Sequence, residues 1–177
     1  MKKLNQIMLL IMMLSLVTFT SCSKDDDGGS GGNAPSGLLQ AKVDGSNFQS
    51  MEIASSATVA NGGQNLIIIA TNSDGNAFSF TVIGYDGVGT YQIGGGANIS
   101  NSASYSETNV NLGNPQNSTT ELWQAPYDDT IAGEISIAEE TDSKVIGTFN
   151  FTCKNVGGDQ SIKTMTDGSF NLNKQMQ

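Results

Sequence analysis

The sequence has no histidine and, because each of its eight basic residues is a lysine, no arginine. Without histidine it cannot form a Ser-His-Asp or Cys-His nucleophile system, and it has no imidazole ligand for a metal ion. Without arginine it lacks the planar fork that binds phosphate or carboxylate through two parallel hydrogen bonds. We therefore expect a protein that is not an enzyme and that needs no cofactor and no metal.

Positive charge is scarce throughout the chain. Eight lysines stand against 17 acidic residues, which gives a net charge of −9 over 177 residues. Nucleic-acid binding requires clustered cations that displace counterions from phosphates. The composition therefore argues against a DNA or RNA partner, and the length predicts one folded domain.

The main hydrophobic run, residues 7–17, is shorter than the roughly 20 apolar residues that a transmembrane helix needs. Lys2 and Lys3 precede it, and small residues follow it, so residues 1–21 have the pattern of a signal peptide. Phe19-Thr20-Ser21-Cys22 resembles a bacterial lipobox, although Phe19 stands where leucine is usual. The resemblance implies that Cys22 carries diacylglycerol and palmitate-type chains and becomes the first residue after cleavage. The alternative is an ordinary secretory signal with a chance cysteine.

An acidic stretch follows Cys22 directly and resembles the export signal of Bacteroidetes surface lipoproteins; its residues are Ser23, Lys24, Asp25, Asp26 and Asp27. The resemblance implies an anchor in the outer membrane that faces the cell surface. The alternative is a periplasmic-facing leaflet, with the stretch serving only as a solvated tether. Residues 28–33 are glycine, serine and asparagine, a composition typical of a flexible linker. We therefore divide the chain into a signal peptide (1–21), a lipidated tether (22–36) and one folded domain (37–177).

The folded domain has the pattern of an all-β protein. Short runs rich in valine, isoleucine, phenylalanine and threonine alternate with polar residues, and glycine-rich turns separate them. About ten strands at this spacing predict an antiparallel β-sandwich, with a lipocalin-like β-barrel as the alternative. The predicted strands cover residues 38–43, 48–53, 66–69, 78–82, 89–93, 97–106, 122–124, 133–137, 144–155 and 161–173.

Four segments within this domain, residues 41–48, 89–93, 147–151 and 166–170, resemble a family of Bacteroidetes lipoproteins of unknown function. Their shared features are turns and strands. The resemblance therefore implies a β-fold and a lipoprotein location, and it implies no activity.

The candidate ligand-binding residues are Trp123, Tyr127, Asp128 and Asp129. Surface proteins hold sugars with an aromatic ring against the apolar face and with carboxylates on the hydroxyls. Pro126 would present the two rings together on a loop. The alternative is that Trp123, the one tryptophan, fills an end of the β-core.

The same acids, with Glu139, Glu140 and Asp142, are candidates for a calcium site or a glycosidase pair. No calcium-loop spacing is present, and nothing in the spacing selects two catalytic carboxylates, so a solvated acidic rim is the favoured interpretation. Thr130, in Asp129-Thr130-Ile131, resembles an O-glycosylation site of exported Bacteroidetes proteins.

Two remaining motifs have structural interpretations. Cys153 shares the alternating face of Phe149 and Phe151, which predicts a small buried hydrophobe rather than a reactive thiol. Residues 94–96 are three glycines without the lysine of a phosphate loop, which predicts a bulge or tight bend.

Taken together, the sequence predicts a surface-anchored lipoprotein whose β-domain acts in binding or display, with a glycan or an envelope protein as its partner. The first alternative is a lipocalin-like carrier, whose apolar cavity would be lined by Ile67, Phe78, Phe80 and Phe149. The second is a carboxylate-based glycoside hydrolase.

Overall fold

The computed structural model describes residues 34–95 and 101–176 and shows an all-β protein. The predicted signal peptide, Cys22 and the predicted export signal at residues 23–27 lie outside the described residues. The strands are β1 (Leu39–Val43), β2 (Ser46–Gln49), β3 (Ser55–Ala60), β4 (Asn65–Thr71), β5 (Ala77–Ile83), β6 (Gly89–Gly94), β7 (Ser102–Asn109), β8 (Thr119–Ala125), β9 (Ile131–Glu140), β10 (Lys144–Lys154) and β11 (Ile162–Met176).

Helical structure in the described part of the chain is confined to single 3-10 turns at Glu52–Ala54, Asn61–Gly63 and Pro115–Asn117. None of the helices in this part of the chain has the length and apolarity needed to span a membrane.

Strand pairing joins all eleven strands into one continuous sheet, which we divide at its two shortest pairings into two layers. One is the six-stranded sheet β2-β1-β11-β10-β9-β6, and the other is the five-stranded sheet β3-β4-β5-β7-β8. At one margin the end of β11 pairs in parallel with β3, with Lys174 opposite Ala57; at the other, β10 and β8 meet through Lys154 and Gln124. The architecture is therefore sandwich-like and not an evenly closed barrel, which confirms the predicted all-β fold class.

The core lies between the two sheets and contains most of the phenylalanines. Phe78 and Phe80 on β5 contact Phe149 and Phe151 on β10, with ring centroids 4.8 to 6.1 Å apart. Edge-to-face and tilted pairs of this kind add about 0.5–1.5 kcal/mol beyond the burial of apolar area. Since β5 and β10 lie in different sheets, these rings hold the two layers together.

The structure differs from the prediction at three strands. β3 was not predicted, because its serines, alanines and threonine carry little hydrophobic contrast. β7, predicted as an edge strand, pairs with β5 on one side and β8 on the other. Strand 66–69 was predicted to be covered on both faces, yet Leu66 and Ile68 are buried while Ile69 is 49% exposed.

The predicted lining of a carrier cavity is not assembled around a common space. Phe78, Phe80 and Phe149 contact one another ring to ring. Ile67 lies between the buried Leu66 and Ile68 on β4 and is only half-buried, so its side chain points to the opposite face of the sheet. Because side chains alternate between the two faces of a sheet, Ile67 points away from the core in which the three phenylalanines lie.

Candidate functional site

An open groove of about 560 Å³ lies where the outer face of the five-stranded sheet meets the loop after β8. Its lining is mostly polar and consists of Ser79, Ser102, Ala103, Ser104, Gln124, Ala125, Pro126, Tyr127, Asp128, Asp129 and Val156. It thus contains three of the four residues predicted to bind a ligand, and it adds serine hydroxyls and an amide that the sequence analysis did not single out.

Three neighbouring strands form the floor of the groove. Ser79 on β5 is opposite Ser104 on β7, and Ser104 is opposite Gln124 on β8. Their side chains point outward because their neighbours along each strand, such as Phe78 and Trp123, are buried. A hydroxyl can donate and accept hydrogen bonds, and an amide has groups of both kinds. The floor therefore offers donors and acceptors side by side.

Residues 126–130 form one wall of the groove. Tyr127 is half-buried, and its hydroxyl lies 3.5 Å from Thr152 Oγ1. Asp128 Oδ1 accepts hydrogen bonds from the backbone N–H of Thr130 at 2.9 Å and from Thr130 Oγ1 at 2.5 Å. Asp129 is exposed. The wall therefore combines an aromatic ring with two carboxylates, one of them held in a tight turn.

These hydrogen bonds also set the protonation of Asp128. The Thr130 hydroxyl, then the Thr130 N–H, and finally the charge of Lys154 lower the pKa of Asp128 below its usual value. A glycosidase acid needs a raised pKa so that it holds a proton at neutral pH. Asp128 is thus suited to accept hydrogen bonds and poorly suited to donate a proton.

Gly94, at the end of β6, allows the wall to approach the sheet edge. Its φ is 83°, and an added Cβ would lie 2.6 Å from the Thr130 carbonyl oxygen and 2.9 Å from Pro126 Cβ. Gly95 has a φ of 74°, and an added Cβ there would lie 2.7 Å from Ile131 Cγ1. The prediction of a bulge or tight bend agrees with the break in register between Ile93 and Gly94 and with the positive φ of Gly94 and Gly95, while Gly96 lies outside the described residues.

Trp123 does not belong to the groove, which corrects its prediction as a ligand-binding residue. It is 4% exposed, and its Nε1 donates a hydrogen bond to Ser161 Oγ at 2.9 Å. The ammonium of Lys163 lies 4.5 Å from the ring centroid. Since successive residues of a strand face opposite sides, Gln124 is at the groove and Trp123 is in the core.

Lys163 joins a second polar cluster at the end of the sandwich near Trp123. Its Nζ lies 2.9 Å from Glu107 and 3.9 Å from Asp44, and it lies 6.0 Å from the centroid of the Tyr105 ring. Burial and the neighbouring Glu107 raise the pKa of Tyr105. One cation is thus shared by two carboxylates, and the cluster lies against the aromatic rings at this end of the core.

The candidate calcium-binding acids do not lie together in the structure. Glu140 lies at the end of β9, where it forms an ion pair with Lys174 and accepts a hydrogen bond from Tyr85 at 2.7 Å. Asp128 and Asp129 lie in the groove wall. Within residues 34–95 and 101–176, no three His, Cys, Asp or Glu side chains gather into a group that could hold a metal ion.

Two further predicted residues have clear surroundings. Thr130 is exposed, and its hydroxyl donates to Asp128. Cys153 is fully buried, and burial, with the charge of Asp44, raises the pKa of its thiol to about 12. The prediction that Cys153 is a small buried hydrophobe is confirmed.

Comparisons with known proteins give a family and no activity. No curated protein and no solved structure matches the chain. A family model described as Domain of unknown function (DUF6252) matches residues 35–172, which covers both sheets, the groove and its wall. The chain therefore belongs to the DUF6252 family.

Proposed function

We propose that this protein is a non-enzymatic lipoprotein, anchored in the outer membrane through Cys22 and facing the cell surface, whose β-domain binds carbohydrate in the groove. Support for the anchor is the order of basic residues, apolar run, small residues and cysteine at positions 2–22. Several acyl chains, at ~0.8 kcal/mol for each buried methylene, would hold such a domain stably at a bilayer.

The observation that carries the binding proposal is the position of Tyr127 and two carboxylates beside the hydroxyl floor of one groove. A tyrosine ring can cover the apolar face of a sugar. Carboxylates such as Asp129 accept hydrogen bonds from sugar hydroxyls, and these charge-assisted bonds are stronger than neutral ones. The groove is open along the sheet, so a glycan fits its shape better than a compact apolar ligand.

The anchor is tested by mass spectrometry of the protein from its own cells. We expect diacylglycerol on Cys22 and no residues before it. Protease treatment of intact cells should remove the domain if it faces the surface and leave it intact if it faces the periplasm. A bare thiol at Cys22 would contradict the lipoprotein proposal, and exposed Thr130 can be examined for a glycan in the same spectra.

Binding is tested with the full chain in detergent on an array of glycans. We expect saturable binding, with the Kd raised about tenfold by Asp129→Asn, because a hydrogen bond to a charged group contributes roughly 1.5–3 kcal/mol. Asp142→Asn is the matched control, since this exposed acid is in the turn before β10, away from the groove lining. Failure to bind any glycan would refute the proposal, and release of reducing sugar would favour the hydrolase.

A further inference from the structure

The groove floor is one end of a row of side chains that crosses the whole five-stranded sheet. Strand pairing places Gln124, Ser104, Ser79, Ile69 and Ser56 opposite one another on successive strands. The pairing between these strands has no bulge, so all five side chains point to the same outer face. With strands about 4.8 Å apart, the row is roughly 19 Å long.

This outer face carries no charge along its five strands, although the chain has a net charge of −9. Its side chains are hydroxyls, amides and aliphatic groups: Ser56, Thr58, Ala60, Asn65, Ile67, Ile69, Thr71, Ala77, Ser79, Thr81, Ile83, Ser102, Ser104, Ser106, Thr108, Thr120, Leu122 and Gln124. Outward positions of a solvated sheet are ordinarily where charged residues are placed. Their absence matches a ligand that carries no charge.

The chemistry of the face is amphipathic in the manner of a sugar. The serine and threonine hydroxyls can donate and accept hydrogen bonds, as sugar hydroxyls do. Ile69 and Leu122 are 49% and 42% exposed and can cover the C–H faces of pyranose rings. An anionic glycan would instead meet Asp128 and Asp129 at the groove and no cation in the row. The cation next to the row is Lys154, which lies opposite Gln124 on β10 at the groove end and lowers the pKa of Asp128; it is not part of the groove lining.

We propose that the ligand is an extended, uncharged polysaccharide chain that lies along this row, from the groove at Gln124 to Ser56 at the far strand. The inference rests on the carbohydrate-binding function above and adds two statements to it. The glycan is neutral, and its contacts continue beyond the groove across β5, β4 and β3. A chain of this length touches several sugar units at once, so its affinity rises with the number of units.

The test is a length series of neutral oligosaccharides, from disaccharide to hexasaccharide, prepared from β-1,4-glucan, β-1,3-glucan and mannan. Polygalacturonate and alginate fragments are the anionic probes. We expect the full chain to bind at least one neutral hexasaccharide ten or more times more tightly than its disaccharide. We also expect Ser56→Lys to remove this gain and to leave the disaccharide Kd unchanged, because Ser56 lies outside the groove lining.

Ser169→Lys is the matched control, since Ser169 is a half-buried outward serine on β11 in the other sheet. Ile69→Gln, in the middle of the row, gives a second measurement should Ser56→Lys unfold the sheet. Equal affinity for disaccharide and hexasaccharide would overturn the extended site while leaving the groove function intact. Preference for the anionic fragments would overturn the neutral ligand, and failure of every probe would refute the proposed function itself.

Discussion

The two outer faces of the sandwich differ in charge more than in any other property. The six-stranded sheet exposes Glu134 and the pair Lys42 and Asp167, which lie 2.8 Å apart, and its half-buried residues include Lys144 and Lys154. The outward side chains of the five-stranded sheet include no charged residue. Both faces cover the same core, so folding does not require the difference. We propose that the uncharged face is the binding surface and that the charged face keeps the protein solvated.

A mutation in the shared core should destabilise both sheets at once. Phe78→Ala removes a fully buried ring that contacts Phe80, Phe149 and Phe151. We expect the free energy of unfolding to fall by about 3–5 kcal/mol, measured by urea denaturation. Ile69→Ala, on the uncharged face, should lower the free energy of unfolding clearly less, because this side chain is half-exposed. Equal losses would show that the outer face is packed rather than open.

The second prediction concerns the charged sheet and its dependence on pH. Burial alone would raise the pKa of Glu140, but hydrogen bonds from Lys174 and Tyr85 outweigh it, so the pKa lies below its ordinary value of 4.5. A carboxyl group with a lowered pKa stabilises the fold above its unfolded pKa and loses that contribution as the pH falls through the folded pKa.

Lys174→Met should therefore reduce the free energy of unfolding by roughly 1–3 kcal/mol at neutral pH, because it leaves a half-buried carboxylate without its cation. The difference from the unmodified protein should narrow as the pH falls past the ordinary value of 4.5 and through the lowered pKa of Glu140, because the carboxyl group becomes protonated. Urea denaturation at a series of pH values from about 3 to about 7 measures both effects. A difference that stays constant over this range would show that Lys174 acts through packing alone.

The smallest effect on stability and the sharpest on function should come from placing one charge on each face. Ser104 on β7 and Thr148 on β10 are both half-buried, outward residues of central strands. We expect Ser104→Lys and Thr148→Lys each to change stability by less than about 1 kcal/mol. Only Ser104→Lys should abolish glycan binding, measured by titration calorimetry. Equal binding losses would remove the functional distinction between the faces.

The sequence predicted the strands that have strong alternation and clear turns. Phe78, Phe80 and Val82 are inward on β5, and the hairpin of β10 and β11 was predicted nearly to its ends. β3 was missed because it combines small and polar residues, although it pairs along its whole length with β4, the next strand in the chain. Its second partner, β11, is more than a hundred residues away, and no local pattern indicates that pairing.

The candidate site was predicted only in part. The loop residues Tyr127, Asp128 and Asp129 were identified because they are adjacent in sequence. Ser79 and Ser104 were not, since their meeting depends on the register of β5 against β7. Trp123 was both a candidate ligand-binding residue and, in the alternative interpretation, a core residue, and the structure places it in the core. Alternation shows that Trp123 and Gln124 face opposite sides, and it does not show which side is buried.

The amino-acid sequence by itself determined the β-character, the turns and the lack of histidine and arginine, because these follow from composition and from patterns a few residues long. Tertiary structure decided which strands became neighbours, which faces were buried and which residues met in the groove. The physical reason is that a strand satisfies its backbone hydrogen bonds only through partners elsewhere in the chain. Every property of a sheet surface therefore depends on pairing over long sequence distances.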